Sequence, residues 1–463
     1  MTVNPADSEI FGALFGSAAM RALFADRRRL QSMLDVEAAL ARVEARLGII
    51  PADAAAAIGA AAQLDRLSLA DLGASTAKVG YPVVGLVKAL GAAAGEAGRF
   101  VHWGATTQDI LDTALVLQMR EGLDLIEGEL RRIAAALADK ARAHRGTVMA
   151  GRSHLQHALP VTFGAKCAIW LAPLLDHLER LAALRPRLLR LQFGGAVGTL
   201  AALGEEGRAV VLGLARELAL AAPDAPWHVA RDALVEAACF LGLVCGSLAK
   251  FATDVALLMQ TEIGEVSEPH QSGRGGSSTM PQKRNPIASE YVIAAARGVH
   301  ALVPLLLGAM AQDHERATGP WQSEQLALPQ IFVLTSGALA HAAAIAEGMT
   351  IDAERMRANL EATGGLILAE AVMMALAPSL GRAQAHHRVE AACAQALAER
   401  RHLRDVLAAD PAIAAHLDAA AIERLMDPAR YTGEAAAIVE RVLTRAATIL
   451  GSAAPADPDA KAG

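Results

Sequence analysis

The sequence predicts an all-α protein, and three observations support that prediction. Of the 463 residues, 53% are hydrophobic but only 3% are aromatic, as expected for helices that pack alanine and leucine side chains against one another. Apolar residues recur at alternating steps of four and three along proline-free stretches, which is the spacing of a helix face in a bundle. The central region also lacks the alternation of apolar and polar residues that marks a β-strand.

The chain is long enough for more than one hydrophobic core, and we expect three helical domains. Residues 1–111 are predicted to form an N-terminal domain of shorter helices. Residues 112–351 are predicted to form a central long-helix bundle that contains a signature loop at residues 273–286. Residues 352–451 are predicted to form a small helical C-terminal domain, and residues 452–463 a disordered tail.

The longest predicted helix opens the central bundle. From Asp112 to His144 the sequence contains no proline, and the apolar seam consists of Met119, Leu123, Ile126, Leu130, Ile133 and Leu137. A helix of about 33 residues spans roughly 50 Å, which exceeds what one compact domain needs. We therefore expect the bundle to be shared between subunits. Further bundle helices are predicted at about residues 161–191, 231–261, 287–312 and 326–347.

Charge and cysteine usage exclude several classes of function. The net charge of −6 offers no basic face, so no nucleic-acid partner is expected. The four cysteines form no Cys-x-x-Cys pair and lie in apolar helical patterns, which indicates buried thiols in a reducing cytoplasm. Residues 1–8 are polar and acidic, unlike a secretory signal. The uncharged stretch 326–346 contains Pro329, Gln330 and His341, so we interpret it as a buried bundle helix and expect no membrane partner.

Residues 275–286 are the most informative run of the sequence. They read Gly-Gly-Ser-Ser-Thr-Met-Pro-Gln-Lys-Arg-Asn-Pro. The glycines and serines allow close approach to a ligand, while Pro281 and Pro286 restrict the half of the loop that carries Lys283 and Asn285. Hydroxyls, a cation and backbone N–H groups together suit a loop that closes over an anionic substrate. The alternative is a surface linker between two helices.

This run closely resembles the signature loop of the fumarase/aspartase superfamily, whose largely helical members form or break a bond β to a carboxylate. Residues 102–109, His-Trp-Gly-Ala-Thr-Thr-Gln-Asp, resemble the superfamily's first motif. Residues 151–156, Gly-Arg-Ser-His-Leu-Gln, resemble its Gly-Arg-Thr-His-x-Gln motif. Because the three motifs occur in the superfamily's order, the chain is identified as a member of it.

The resemblance implies a catalytic set of Ser277, His154 and Glu290. Ser277, the first serine of the pair, matches the residue that transfers the proton on the carbanion side. His154 matches the acid, and Glu290 matches the carboxylate that orients this histidine. A serine alone is a poor base, so its N–H-rich loop is expected to stabilise the alkoxide. The alternative for Ser277 is a solubilising loop residue, and the alternative for Glu290 is a solvated helix residue.

The resemblance also implies a substrate-binding set: His102, Thr106, Thr107, Gln156, Lys283, Asn285 and Arg316. The two threonine hydroxyls match groups that hold a carboxylate, and their alternative role is to cap a helix ahead of Asp109. Arg316 matches a substrate-binding arginine, and its alternative is a helix end at the surface. His154 and His157 are expected at the start of a helix without a carboxylate or cysteine cluster nearby, so no metal site is expected.

Five segments resemble a lactone-forming cycloisomerase branch of the superfamily more than its adenylosuccinate lyases: residues 188–203, 226–228, 231–232, 258–262 and 427–433. The resemblance implies that a substrate carboxylate adds to a double bond and that a carboxylate-stabilised carbanion is then protonated. The chain keeps His154 and Glu290 as lyases do, so a β-elimination lyase stays an alternative. So does a cycloisomerase for a substrate with one sulfonate. A catalytically idle structural protein is the remaining alternative, and the intact signature loop argues against it.

Partners and cofactors follow from the same resemblance. It implies a small polycarboxylate substrate and a homotetramer whose active sites combine residues from three chains. No cofactor is expected, because the sequence has neither a metal-ligand cluster nor a dinucleotide-binding loop.

Overall fold

The structure is a computed structural model that describes residues 4–269, 280 and 282–451. These residues fold predominantly into α-helices with a few short strands, which confirms the prediction of an all-α protein. Ser277, most of the signature loop and the predicted tail lie outside the described residues.

Short helices precede and follow a set of long ones. The N-terminal helices are α1 (Gly12–Phe15), α2 (Ala18–Leu23), α3 (Asp26–Arg46), α4 (Ala52–Ala61), α5 (Leu69–Val79) and α6 (Pro82–Ala93). The central helices are α7 (Thr107–Ala143), α8 (Phe163–Leu188), α9 (Gly207–Glu217), α10 (Asp232–Leu258), α11 (Ile287–Gly308) and α12 (Pro320–Gly348). The C-terminal helices are α13 (Ala353–Glu361), α14 (Ala369–Leu380), α15 (Arg382–Glu399), α16 (Leu403–Ala409), α17 (Pro411–Ala414), α18 (Ala419–Leu425) and α19 (Ala435–Gly451). Short 3-10 helices lie at Pro5–Asp7, Leu64–Arg66, Gly95–Phe100, Ala201–Glu206, Leu366–Leu368 and Pro428–Arg430.

Helix α7 is the long helix expected from the sequence. It has 37 residues and is therefore about 55 Å long. All six positions of its predicted apolar seam are at most 1% exposed, which confirms the spacing argument. The helix begins at Thr107, ahead of the expected Asp112, because the Asp109 side chain accepts a hydrogen bond from the Thr106 backbone N–H at 3.0 Å and caps the first turn.

Helices α10, α11 and α12 are long and apolar enough to cross a membrane by length and composition alone. In α10 and α12, 61% and 72% of the most apolar window is buried inside the protein, whereas in α11 only 28% is buried. The stretch 326–346 lies within α12, where Leu328, Ile331 and Phe332 are fully buried, so the prediction of a buried helix is confirmed. Helix α11, by contrast, is only partly buried along this window, and its Leu305 and Leu307 are 41% and 50% exposed.

One segment expected to be helical is not. Strands β1 (Val148–Ser153) and β2 (Gln156–Thr162) form an antiparallel hairpin before α8. Its two-residue turn consists of His154 and Leu155, whose φ values of 52° and 63° suit a turn that follows the right-handed twist of paired strands. The prediction that His154 and His157 lie at the start of a helix is therefore wrong, since His154 forms the hairpin tip and His157 lies in β2.

Gly151 bends this hairpin. The pairing register shifts between Ala150 and Arg152, which is a β-bulge. A Cβ atom at Gly151 would lie 2.7 Å from the carbonyl oxygen of Leu159, so a larger residue would force the two strands apart. The bulge thus depends on a glycine and sets the direction of the tip. A second, shorter pairing joins β3 (Val266–Ser267) to β4 (Thr350–Ile351).

The chain divides into two compact units, which we describe separately. The first comprises the described parts of Met1–Glu129, His177–Leu248 and Tyr291–Ala340, and the second those of Leu130–Asp176, Ala249–Glu290 and His341–Gly463. Helices α7, α8, α10, α11 and α12 each contribute residues to both units. The units do not follow chain order, and the three domains expected from the sequence stay a prediction.

Candidate active site

In the first unit, the residues of the first motif lie on the turn that leads into α7. His102 and Gly104 have φ values of 65° and 69°, so the backbone turns sharply ahead of Thr106 and Thr107. Both threonines are partly buried, and their hydroxyls form no hydrogen bond with any residue that the structure describes. Because Asp109 caps α7, the hydroxyls are not used as helix caps. They are open to a ligand.

Asp109 holds this turn in place from inside the protein. It is fully buried, and its carboxylate accepts hydrogen bonds from His228 Nε2 at 2.7 Å and from the backbone N–H groups of Gly194 and Gly195 at 2.9 Å each. A buried carboxylate is tolerated when N–H donors surround it in this way. The turn at Thr106 is therefore fixed to the 194–195 loop through one side chain.

Arg316 also binds to the first motif. Its Nη1 donates to Gln108 Oε1 at 2.9 Å, and its Nη2 donates to the carbonyl oxygen of Ala196 at 2.8 Å. The side-chain amide of Gln108 in turn donates to Asp112 and to the carbonyl oxygen of His228. Both acceptors of Arg316 are neutral, and no carboxylate in the described chain neutralises its charge. A half-buried arginine held this way can attract an anionic ligand.

Behind the turn lies a buried ion triad. Arg231 is 2% exposed and makes a bidentate contact with Asp112, at 2.6 and 2.9 Å, and another with Glu324, at 2.8 and 2.5 Å. Burial alone would lower the pKa of Arg231, but the two carboxylates raise it above its usual value. Burial also raises the pKa of Glu324, and Arg231 only partly offsets that effect. The triad supports the first motif through Asp112, which accepts a hydrogen bond from Gln108.

His102, a predicted substrate-binding residue, pairs with a carboxylate from α3. Its Nδ1 lies 2.6 Å from Glu37 Oε1, and the Glu37 side chain is only 1% exposed. The pKa of His102 is raised, because the hydrogen bond and charge of Glu37, together with the charge of Asp109, outweigh the opposing effect of burial. The ring is therefore a cation over a wider pH range than usual.

In the second unit, the hairpin of the second motif is held close to its tip. Arg152 donates to both carboxylate oxygens of the fully buried Glu265, at 2.9 and 2.7 Å. Asn359 donates to the same carboxylate at 2.7 Å. His154 and Gln156 lie beyond this ion pair at the exposed tip of the hairpin. An exposed tip that is anchored by a neighbouring ion pair suits residues that contact a ligand.

The end of the signature loop leads directly into α11, which carries Glu290 in its first turn. Lys283 and Glu290 are exposed, and Asn285 is partly buried. Glu268 fixes the helix start by accepting hydrogen bonds from the backbone N–H groups of residues 288 and 289, at 3.0 and 2.8 Å, and from the hydroxyl of residue 289 at 2.7 Å. This carboxylate also lies at the positive end of the helix dipole.

The structure thus divides the predicted site residues into two groups. The first unit contains His102, Thr106, Thr107 and Arg316, and the second contains His154, Gln156, Lys283, Asn285 and Glu290. Within the described chain, His154 and Glu290 form no hydrogen bond with each other. Ser277 lies outside the described residues, so its predicted role stays a prediction. No group of three or more His, Cys, Asp or Glu side chains among the described residues could hold a metal ion.

Sequence reasoning assigned no role to the buried residues that support the site, Glu37, Asp109, Asp112, His228, Arg231, Glu265 and Glu324, or to the partly buried Glu268. Some of them gave a usable signal. Asp109 and Asp112 are charged residues one turn apart that flank the apolar pair Ile110 and Leu111, and charges that are buried among apolar residues are usually paired. Their partners come from distant parts of the chain, so the local sequence around Asp109 and Asp112 does not identify them.

A buried carboxyl group on α3 gives a testable pH dependence. Burial, with a smaller contribution from Glu37, raises the pKa of Glu44 to about 8, and neither carboxyl oxygen has a hydrogen-bond partner among the described residues. Between the ordinary carboxyl pKa and this raised value the folded state binds more protons than the unfolded state, so stability falls as the pH rises. We expect Glu44→Gln, which cannot ionise, to remove this loss and to melt several degrees above the parent protein at pH 8.5 but not at pH 5.

Thermal unfolding across that pH range measures the effect. Glu205→Gln is the matched control, since Glu205 is exposed and the same substitution there should leave the profile unchanged. Parallel curves for Glu44→Gln and the parent protein would show that Glu44 does not titrate in this range.

Comparisons with known proteins agree with the motifs. A family described as "Lyase" matches residues 16–300, and one described as "Adenylosuccinate lyase C-terminus" matches residues 365–442. The 3-carboxy-cis,cis-muconate cycloisomerase of Pseudomonas aeruginosa is 54% identical over 94% of this chain and 96% of its own length. The crystal structure of the 3-carboxy-cis,cis-muconate lactonizing enzyme from Pseudomonas putida has a TM-score of 0.91 and 50% identity, and covers 96% of this chain and 100% of that one. A nitrosuccinate lyase of Streptomyces davaonensis is 41% identical over 94% of each chain.

Proposed function

The chain belongs to the fumarase/aspartase superfamily of lyases, and from this premise we propose that it is a 3-carboxy-cis,cis-muconate cycloisomerase. The observation that carries the proposal is near-full-length similarity, at half or more of the positions, to proteins with that activity in their names. The site supports it, because the threonine hydroxyls and Arg316, which has no carboxylate partner among the described residues, suit a substrate with several carboxylates. In this role the enzyme acts in aromatic catabolism, in the protocatechuate branch of the β-ketoadipate pathway.

The reaction closes a lactone within one molecule. A carboxylate oxygen of the substrate adds to a carbon–carbon double bond, and the electron pair of that bond moves towards the neighbouring carboxylate. The resulting carbanion takes up one proton at carbon, and the product is 4-carboxymuconolactone. The enzyme must stabilise the added charge next to the carboxylate and deliver the proton.

The proposed roles follow from this chemistry. Ser277 delivers the proton to carbon and regains one from solvent. Thr106, Thr107 and Arg316 hold one substrate carboxylate, and this group is supported by the buried contacts behind the first motif. A second binding group consists of Gln156, Lys283 and Asn285, and His102 completes the set. The substrate supplies the nucleophile and a carboxylate takes up the charge, so no metal or organic cofactor is needed.

A β-elimination lyase is the second candidate, and two observations favour it. The chain keeps both His154 and Glu290, although a carboxylate needs no proton in order to attack. A relative at 41% identity is named as a nitrosuccinate lyase. In such a reaction His154 would protonate or orient the leaving group, with Glu290 as its partner.

A turnover assay separates the candidates. Purified enzyme incubated with 3-carboxymuconate should remove the absorbance of the diene, and the rate should be unaffected by a chelator. Adenylosuccinate, nitrosuccinate and 3-sulfomuconate are tested in parallel under the same conditions. Preference for either succinate derivative would replace the cycloisomerase with a lyase, and preference for the sulfonate would change the substrate. Activity that disappears with chelator and returns with a divalent ion would refute cofactor independence.

We place the enzyme in the cytoplasm. All four cysteines are free thiols, and Cys167 and Cys245 are buried as expected, whereas Cys239 and Cys393 are only partly buried. Burial raises the pKa values of Cys167 and Cys245 to about 12, so both stay as unreactive thiols. Free thiols are typical of a reducing compartment.

The assembly we propose is a homotetramer. Helices of the first unit expose large apolar side chains: Leu243 in α10, Leu305 and Leu307 in α11 and Leu326 in α12 are 41–63% exposed. Isolated apolar residues are normal at a surface, but three long helices that each expose leucines indicate a covered face. Glu290, Arg297 and His300 lie on α11, and such polar groups favour further copies of this chain over lipid as the cover.

Complementation tests the proposal that several chains build each site. His102→Ala and Ser277→Ala proteins should each be inactive alone and should recover part of the activity when their subunits exchange. The recovery follows because some mixed sites receive both intact residues. A monomeric mass in solution, or no recovery after confirmed exchange, would contradict the shared-site assembly.

A further inference from the structure

We propose that Glu37 is a positioning residue for the proposed cycloisomerase: it holds Nδ1 of His102 and leaves Nε2 as the ring nitrogen that donates to a substrate carboxylate. The proposal rests on the proposed function, because it assigns His102 to substrate binding. It adds a residue that lies outside all three sequence motifs, 65 positions before the histidine that it contacts.

The geometry of the pair supports this role. The 2.6 Å separation of Nδ1 and Oε1 is that of a charge-assisted hydrogen bond. Glu37 lies in the buried face of α3 between Val36 and Ala38, which are 1% and 5% exposed. Its second oxygen, Oε2, has no hydrogen-bond partner among the described residues. The buried Glu37 carboxylate therefore relies on His102 for its hydrogen bond, and this bond fixes the orientation of the imidazole ring.

The ring has a buried end and an open end. Nδ1 faces Glu37, and Nε2 forms no hydrogen bond within the described chain. The His102 side chain is 19% exposed, compared with 1% for Glu37. Within the described part of the chain, the pair thus leaves one ring nitrogen without a partner, and the ring is partly exposed.

Buried carboxylates fix both ends of the turn that carries the candidate binding groups. Glu37 holds His102 at its start, and Asp109 holds the backbone N–H of Thr106 at its end. His102 has a positive φ of 65°, which is uncommon for a residue other than glycine and requires support from its surroundings. The contact with Glu37 supplies that support, so the imidazole and the threonine hydroxyls keep fixed relative positions.

The charges around His102 favour its protonated form. Glu37 and Asp109 act on the ring from α3 and α7, and together they raise its pKa against the effect of burial. Glu44, the other buried carboxyl on α3, is neutral below a pKa of about 8. Glu37 is then the dominant charge beside the ring near neutral pH. A histidine with a raised pKa stays a cation until the pH passes that pKa. The affinity of His102 for a substrate carboxylate should therefore decrease as the pH rises.

Glu37→Gln keeps the size and burial of the side chain but removes its charge. We expect KM for 3-carboxymuconate to rise about tenfold at pH 7 with kcat changed much less, because a binding group is weakened and the proton donor is not. The pH above which KM rises should also move to a lower value. Glu44→Gln is the matched control, since it places the same substitution on the same helix without contact to His102, and it should keep the parent KM.

A second readout does not depend on turnover. Calorimetry with tricarballylate, an unreactive tricarboxylate, measures its dissociation constant from pH 6 to 9 in the parent, Glu37→Gln and His102→Gln proteins. We expect the affinity of Glu37→Gln to fall at a lower pH than that of the parent, and His102→Gln to lose this pH dependence. An unchanged midpoint in Glu37→Gln would overturn the proposal, even if the variant is less stable. Failure of 3-carboxymuconate turnover in the parent protein would instead reject the proposed function, while the calorimetric comparison would still decide the role of Glu37.

Discussion

Replacing Ser277 with alanine should lower kcat for lactonisation by about a thousandfold or more, since general acid–base catalysis with positioning contributes 10²–10⁴-fold. The addition step forms a carbanion that reverts unless carbon is protonated. The serine hydroxyl is the group that we propose delivers this proton. Loss of a thousandfold corresponds to about 4 kcal/mol of transition-state stabilisation.

Ser278→Ala is the matched control, because it removes the neighbouring hydroxyl of the same pair. Circular dichroism and molecular mass should be unchanged in both variants, since a single loop hydroxyl contributes little to stability. The rates then compare two adjacent hydroxyls in one folded protein. A Ser277→Ala protein with a near-parent rate would remove this serine from the mechanism.

His154→Ala extends the comparison to the reaction type. In lactonisation a carboxylate attacks without gaining or losing a proton, so this variant should be much faster than Ser277→Ala. In a lyase with a poor leaving group, the two variants should be about equally slow. Severe and equal losses on 3-carboxymuconate would contradict our account of His154.

The long helices could be predicted from the sequence because their burial repeats regularly. In α7, residues such as Leu123 and Leu130 recur every three or four positions, and each is fully buried. The site motifs were also locatable, since each is a short contiguous run whose residues keep a fixed local order. The structure places two of these runs at a helix start and on a hairpin.

The hairpin could not be predicted for two local reasons. The burial of β1 does not alternate strictly, because the bulge at Gly151 interrupts the pattern. Its turn uses His154 and Leu155 with positive φ, where a sequence signal would require Asn-Gly or a similar pair. A strained turn at a candidate site residue is the kind of position where local preference and function disagree.

The buried ion networks escaped sequence analysis because their members are far apart in the chain. Arg231 contacts Asp112, 119 positions earlier, and Glu324, 93 positions later. Charged residues among apolar neighbours indicate that they have ionic partners, but the sequence does not show which residues these partners are. The residues that support the site can therefore be identified only once the fold is known.

Removing the central arginine of the triad, with Arg231→Ala, should destabilise the protein by about 3–5 kcal/mol at pH 8. Two carboxylates would stay in a site where Asp112 and Glu324 are at most 4% exposed and share this one cation. Most of the loss comes from leaving buried charges unpaired. Chemical denaturation at constant pH measures it.

A triple variant identifies the cause of that loss. Arg231→Met combined with Asp112→Asn and Glu324→Gln keeps similar side-chain volumes but removes all three charges. Its stability should exceed that of Arg231→Ala, because no ion is left without a partner. Arg187→Ala is the surface control, since Arg187 forms an exposed pair with Glu236 and such pairs contribute little.

The loss in Arg231→Ala should also depend on pH, with a sign set by burial. Burial already raises the pKa of Glu324 in the intact triad, and removing the arginine removes the opposing effect. Carboxyls with raised pKa values bind more protons when folded than when unfolded, so stability falls as the pH rises through that interval. The deficit relative to the parent protein should therefore be larger at pH 8 than at pH 5. A deficit that is the same at both values would mean that lost packing, rather than unpaired charge, causes the instability.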